Sequence, residues 1–257
     1  MQKAFNPSNW FCKDKPERLG NYVTRCKDRV TKGPCHKSEL EAMEYVKANT
    51  QIPIPHVRNV REEEAGLFIE MDYVPGQTLG EAWSSGKLSA TQRQRYLREL
   101  AGYVEQLRSL KAPKEDTVAS ADGGSFMDTR ICGKPVGPFT HASFHSLLRG
   151  HCPLDQTTAT FGKPVTRCHS KTYATKFTHG DLALRNIIVR DGRIAAILDW
   201  GCAGWFPEYY EYTKAHFSTP LPVDFYEGFR KSVKSRYDEE LEAETDLWDR
   251  LKPPLLW

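Results

Sequence analysis

One stretch constrains this chain more than any other. Residues 177–206 read FTHGDLALRNIIVRDGRIAAILDWGCAGWF. Ile187, Ile188 and Val189 form one short apolar run, and Ile194, Ala195, Ala196, Ile197 and Leu198 form a second. Between them stands Asp191-Gly192, a pair suited to the left-handed backbone of a two-residue hairpin turn. An antiparallel hairpin brings the chain back to where it started. Asn186, just before the first strand, and Asp199, just after the second, are therefore expected side by side at its open end.

That juxtaposition carries chemistry. An amide oxygen and a carboxylate are hard ligands, suited to Mg²⁺ rather than zinc. Asp181 precedes Asn186 by five positions, so a short loop can bring its carboxylate beside the pair. A metal site beside a carboxylate that can orient and deprotonate a hydroxyl is what phosphoryl transfer requires. Each residue alone reads more simply, Asp as a turn or cap residue and Asn as a loop hydrogen-bonder. Their combination argues for the site.

Around this segment the chain divides unevenly. Residues 1–19 carry no periodicity and read as an irregular arm. YVTRC and RVTK, separated by Lys27-Asp28, suggest a hairpin, and Ser38 with Glu41 fits a capping box opening a helix through Leu40, Met43 and Val46. Pro53 and Pro55 stop that helix. Residues 67–74 have strand composition and end at the Pro75-Gly76 turn. Ser89 with Gln92 caps the best helix, whose apolar stripe is Leu97, Leu100, Ala101, Val104 and Leu107. Residues 111–140 read as loop. A short helix follows around Phe144, Leu147 and Leu148, ending at Gly150, and residues from about 222 read as helical with an acidic run at 238–249. Strands with one helix, then mostly helices, argue for an α+β fold of two lobes, with the boundary near Pro75-Gly76. This places a small β-rich lobe at 20–75 and a larger, mostly helical lobe at 76–257.

Composition narrows the function. Hydrophobic residues are 39% and charged residues 27%, ordinary for a folded chain of 257 residues. Lys plus Arg number 36 against 33 Asp plus Glu, a net +3, which offers no strong excess to neutralise nucleic-acid phosphates. No apolar run approaches a membrane span, and no signal-peptide core opens the chain. Seven cysteines without a CxxC pair argue against a disulfide framework and for a reducing, cytoplasmic setting. His141 and His145 stand four apart, and His151-Cys152 and Cys168-His169 could suggest zinc, but the cysteines lack close ligand pairs. The acidic run could attract a cationic substrate, or simply be a solvated helix face.

His179-Gly180-Asp181-Leu182-Ala183-Leu184-Arg185-Asn186 resembles the HGDxxxxN signature of the aminoglycoside-phosphotransferase-like (choline kinase-type) family, whose fold is similar to that of protein kinases. Asp199-Trp200 looks like that family's metal-binding Asp. Lys32-Gly33-Pro34, Ile52-Pro53-Ile54-Pro55, Gly137-Pro138-Phe139 and Gly204-Trp205-Phe206-Pro207-Glu208 resemble its fungal-type branch, in the same order. The resemblance implies a two-lobed, protein-kinase-like fold and transfer of the γ-phosphate of ATP, with Mg²⁺, to a hydroxyl of a small molecule. It implies Asp181 as base, Asn186 and Asp199 as Mg²⁺ ligands, and His179 as the residue holding the loop. Lys32 would meet the nucleotide phosphates with Glu39 as its partner, Lys27 and Glu41 being the alternatives. Met71, Asp72, Tyr73 and Val74 would receive adenine on backbone groups. Two features depart from the pattern. Position 183 is Ala where many relatives have a second His, so Arg185 stands either as the missing cation near the transferred phosphate or as a packing or surface residue. No G-x-G-x-x-G precedes Lys32, which leaves a second reading, a pseudokinase-like binding or scaffold protein without turnover. The identity of the substrate is not legible.

Overall fold

Short β-branched runs separated by polar turns dictate the first part of the fold. In a computed structural model of the chain, which describes residues 16–217 and 222–251, β1 (Glu17–Gly20), β2 (Val23–Cys26) and β3 (Arg29–Cys35) form successive antiparallel hairpins. Lys27 takes a left-handed conformation, φ 56°, at the expected turn between β2 and β3. β1 corrects the reading of an irregular arm at residues 17–19; the rest of that arm, up to residue 15, lies outside the described residues. After α1 (Lys37–Asn49), β4 (Val57–Glu63) and β5 (Gly66–Asp72) complete a five-stranded sheet in the order β1-β2-β3-β5-β4. β4 has no sequence signature, because its residues VRNVREE are mostly polar and mostly exposed.

α1 buries Ala42, Met43 and Val46 at helical spacing. Its start differs from the expected capping box. His36 is the cap residue, its Nδ1 accepting the Ser38 N–H, while the Ser38 hydroxyl donates to the Gly201 carbonyl at 3.3 Å and Glu41 pairs with Lys37 at 2.8 Å. Ser38 lies inside the first turn, one residue past the start of the helix, so His36 rather than Ser38 occupies the cap position.

β6 (Gln77–Thr78) leads into α2 (Leu79–Ser84), capped reciprocally by Thr78 and Glu81. α3 (Ala90–Ser109) opens with the expected Ser89–Gln92 capping box and buries Tyr96, Leu97, Leu100, Ala101, Val104 and Leu107 on one face. Residues 111–140, read as loop, contain β7 (Ala119–Ser120), β8 (Phe126–Asp128) and β9 (Cys132–Val136). Strands this short carry too few residues for a period of two to show. α4 (His141–Leu148) follows, with Gly150 left-handed just after it, then α5 (Thr157–Phe161) and α6 (Lys163–His169). β10 (Thr175–Thr178) leads to the expected hairpin, β11 (Ile187–Arg190) and β12 (Arg193–Ile197), with positive φ at both Asp191 and Gly192. β13 (Gly204–Pro207), α7 (Tyr210–Phe217), α8 (Val223–Ser232) and α9 (Asp238–Leu251) complete the described chain.

Two further three-stranded sheets have the orders β12-β11-β6 and β10-β13-β7. One apolar cluster runs from α1 and β5 through α3 to the β11–β12 hairpin; a second gathers Phe126, Phe144, Phe206 and Tyr210 beneath α4, α6 and α9. The acidic run on α9 is only partly solvated. Glu240 and Glu244 turn inward, Glu244 onto the buried Arg130. The expected metal-spaced histidines are also absorbed by packing, His145 bonding Tyr209 Oη at 3.0 Å and stacking on His169 at 4.3 Å. Cys26 is disulfide-bonded, which the expected reducing setting does not foresee, and Cys35, Cys152, Cys168 and Cys202 are free. Among the described residues no helix is long and apolar enough to cross a membrane.

Candidate active site

β10 delivers the chain to His179, Gly180 and Asp181, beside Arg185 and Asn186, which line a cleft. Gly180 has φ 74°, and a Cβ there would collide with the Cys202 carbonyl, so this tight turn requires glycine. His179 is fully buried. Its Nδ1 accepts the Asp181 N–H at 3.2 Å and its Nε2 faces the Leu198 carbonyl at 3.0 Å, which defines a neutral ring protonated on Nε2. Burial holds its pKa below the usual histidine value. The imidazole thereby ties the Asp181 loop to Leu198, between the end of β12 and Asp199.

A 3-10 turn at residues 184–186 then aims two side chains back at Asp181. Asn186 Nδ2 donates to Asp181 Oδ2 and to its backbone carbonyl, both at 2.9 Å, and Arg185 Nη2 donates to Oδ2 at 2.6 Å. With its amide nitrogen so engaged, Asn186 has Oδ1 as the atom suited to a hard cation. The expected meeting at the hairpin's open end is made by the Leu198 N–H, which donates to the Asn186 carbonyl at 2.7 Å.

Asp199 follows in a left-handed conformation, φ 64°. Lys32 Nζ, from β3, lies 2.7 Å from Asp199 Oδ1 and 2.6 Å from Glu39 Oε1 on α1. Burial opposes charge on all three groups. For Lys32 it is outweighed by the two carboxylates, which raise its pKa, and for Asp199 by Lys32, which lowers it; for Glu39, the most enclosed, burial prevails and raises the pKa. Of the alternatives, Lys27 sits at the β2–β3 turn and Glu41 pairs with Lys37.

The cleft above these groups encloses about 510 Å³. Leu19, Val23, Val30, Met71 and Ile188 supply apolar walls, and Lys32, Arg185, Asn186 and Asp199 line its polar end. Leu19 and Val23 belong to the β1–β2 hairpin, so the cleft has a covering hairpin although the glycine-rich motif is missing. Met71, Asp72, Tyr73 and Val74 all line it. The N–H groups of Asp72 and Tyr73 are already spent on the carbonyls of His56 (2.9 Å) and Asp28 (2.8 Å).

Glu211 escaped the sequence reading. It lies on α7, buried, and its Oε2 accepts the His179 N–H. Burial pushes its carboxyl up to about 7, against the lowering effect of the His179 and Gly180 N–H groups. A glutamate on the inner face of a helix rich in tyrosine was the available signal, since buried carboxylates need a partner.

A sequence profile of the phosphotransferase enzyme family (APH) matches residues 3–253. No curated relative matches. Among solved structures, the chain is similar to the ADP-bound aminoglycoside phosphotransferase APH(2'')-Ib, at 13% identity and TM-score 0.63 over 93% of this chain and 83% of that one. It is similar to the GDP complex of aminoglycoside 2'-phosphotransferase-IIIa, at 14% identity and TM-score 0.65 over 94% and 85%. It is also similar to the macrolide 2'-phosphotransferase MphH from Brachybacterium faecium, at 18% identity and TM-score 0.54 over 91% and 82%. At these identities the structural likeness speaks for the kinase-like fold alone, and the profile, which spans nearly the whole chain, for descent. The chain belongs to the phosphotransferase enzyme family.

Proposed function

We propose that this protein transfers the γ-phosphate of ATP to a hydroxyl group of a small molecule, with the acceptor deprotonated by Asp181. The observation that carries the reading is Lys32, whose ammonium joins Glu39 at 2.6 Å to Asp199 at 2.7 Å at the polar end of the cleft. A cation fixed between two carboxylates from different elements, with a carboxylate loop alongside, is what a triphosphate needs at the point of transfer.

The apolar walls suit a nucleobase. With the Asp72 and Tyr73 N–H groups occupied, the segment offers the Val74 N–H beside peptide carbonyls, a donor–acceptor pattern that complements adenine N1 and its amino group. Asp181 would take the acceptor proton as the new P–O bond forms and the bond to the β-phosphate oxygen breaks, the leaving ADP carrying the electron pair. Lys32 and Arg185 would hold the phosphate oxygens. Asn186 and Asp199 form the hard-oxygen pair that would hold Mg²⁺, which supplies charge neutralisation on the phosphates when bound. His179 keeps the Asp181 loop in place. We assign residues 20–75 to nucleotide binding and 76–257 to catalysis and the acceptor.

The scaffold reading rests on the missing glycine-rich loop ahead of Lys32. A five-stranded sheet whose first hairpin covers the cleft gives it no support. The test is acceptor-dependent ADP release across a panel of amino sugars, macrolides, amino alcohols and sugars. Asp181→Asn is expected to lower kcat on any accepted substrate by about 10²- to 10⁴-fold. Transfer at the wild-type rate in that variant would overturn the assignment of Asp181.

A further inference from the structure

Four elements converge on the segment that lines the cleft. Arg58, near the start of β4, donates from Nε to the Asp72 carboxylate and from Nη2 to Asp28 Oδ2 at 2.8 Å. Asp28 sits at the β2–β3 turn, and its carbonyl accepts the Tyr73 N–H at 2.8 Å. The Asp72 N–H is taken by His56, two residues before Arg58. Arg25, on β2, lies 3.6 Å from the Tyr73 ring centroid and donates from Nε to the Lys27 carbonyl at 3.0 Å. One planar guanidinium thus joins the β2–β3 turn to Asp72, while His56, just before the same strand, holds the Asp72 peptide and Asp28 holds that of Tyr73.

We propose that Arg58 is a positioning residue for the nucleotide base: by bridging Asp28 and Asp72 it fixes the peptide groups of residues 72–74 in the orientation the base must meet. The inference rests on the nucleotide reading above. All three side chains are partly exposed, so the bridge adds little to stability. Its effect is directional. Residues 73–76 lie between β5 and β6 without a strand of their own, so the pose of the Val74 N–H depends on what holds Asp72 and Tyr73. Preorganising a recognition segment removes an ordering cost from binding. Arg58 reaches its two carboxylates through separate nitrogens, Nε and Nη2, of one rigid plane, a span that a single lysine nitrogen on this strand does not reproduce. The Asp28 carboxyl is held below the ordinary aspartate value, chiefly by the hydrogen bond from Arg58, in keeping with a formed bridge.

The experiment separates the base from the phosphates. ATP with Mg²⁺ and inorganic tripolyphosphate with Mg²⁺ are each titrated calorimetrically into wild type, Arg58→Ala, Arg58→Lys, Asp28→Asn and Lys32→Ala. Arg58→Ala is expected to weaken ATP about five- to tenfold, with tripolyphosphate unchanged, because only ATP uses residues 72–74. Arg58→Lys should not restore the loss, Asp28→Asn should show a smaller one, and Lys32→Ala should weaken both ligands. Equal ATP affinity in wild type and Arg58→Ala would overturn the proposal, as would an equal loss of tripolyphosphate, which would mean general loosening. If the wild type takes tripolyphosphate but not ATP, or neither, the nucleotide reading itself falls and the proposal with it.

Discussion

The chain places charged residues in two very different settings. In the cleft, Lys32, Glu39, Asp181, Arg185 and Asp199 interact at short range, yet the side chains of Asp199 and Arg185 remain 46% and 56% exposed. Beneath the helices, Arg130 meets Glu244 and Lys214 meets Asp128, and none of these four side chains is more than 1% exposed. Both regions pair opposite charges. The first is open to solvent at one end, so a ligand can enter and the charges can re-pair around it. The second is closed, with Tyr210 Oη and Thr129 Oγ1 completing the Asp128–Lys214 pair at 2.8 and 3.3 Å. Exposure, rather than charge type, separates a site from a strut.

The largest expected effect lies in the closed region. Asp128→Ala leaves Lys214 buried without its carboxylate and should cost about 3–5 kcal/mol, read as a lowered denaturant midpoint. Asp199→Ala should cost far less stability while abolishing nucleotide-dependent behaviour. Equal destabilisation by the two variants would break the comparison.

Next comes a pH effect specific to buried groups. Burial, with His169 and His141 adding to it, holds His145 down to about 2, so the folded state keeps it neutral while the unfolded chain titrates near 6.5. Its contribution is fully present above pH 6.5 and is lost as pH falls, approaching about 1.4 kcal/mol per pH unit. A stability profile from pH 7 to 4 should show this slope, and His145→Gln should flatten it.

Glu211 has the opposite sign. Its carboxyl is raised above the ordinary 4.5 to about 7, so the stability it contributes is present at low pH and lost as pH rises through 7. Relative to Glu211→Gln, the wild type should therefore lose ground between pH 5 and 8. Because its Oε2 holds the His179 N–H, the variant should also lower kcat more than it changes the KM for ATP. A variant with unchanged kcat would show that the contact is structural alone.

The smallest effect sharpens the assignment of Arg185, whose side chain is largely exposed. Arg185→Ala should lower kcat about tenfold if the guanidinium meets the transferred phosphate, with stability changed by less than about 1 kcal/mol. An unchanged kcat would return Arg185 to a surface role.

What was legible in the sequence follows the range of the interactions concerned. The β11–β12 hairpin and the Ser89–Gln92 cap are local patterns, each complete within a few residues, and each forms as read; within HGDxxxxN, Asn186 and Arg185 fold back onto Asp181. The Lys32–Glu39 contact also forms, between residues seven apart. Non-local partners were hidden. Ser38 was read as a cap, but its hydroxyl reaches Gly201, and His36 takes the cap position instead. β1 and β7 pair through only a few residues each, too few to show a period. Glu211 and Arg58 act through residues 32 and 14 positions away, which no spacing rule connects.

The most direct test of the central claim is a thermal-shift titration with ATP, with and without Mg²⁺, on wild type and Asp199→Ala. Ligand at a hundredfold over its dissociation constant stabilises by about 2.7 kcal/mol, a shift of several degrees. The account predicts a Mg²⁺-dependent rise in wild type that Asp199→Ala loses. A wild-type midpoint unmoved by millimolar ATP and Mg²⁺, or a rise that Asp199→Ala retains in full, would contradict it.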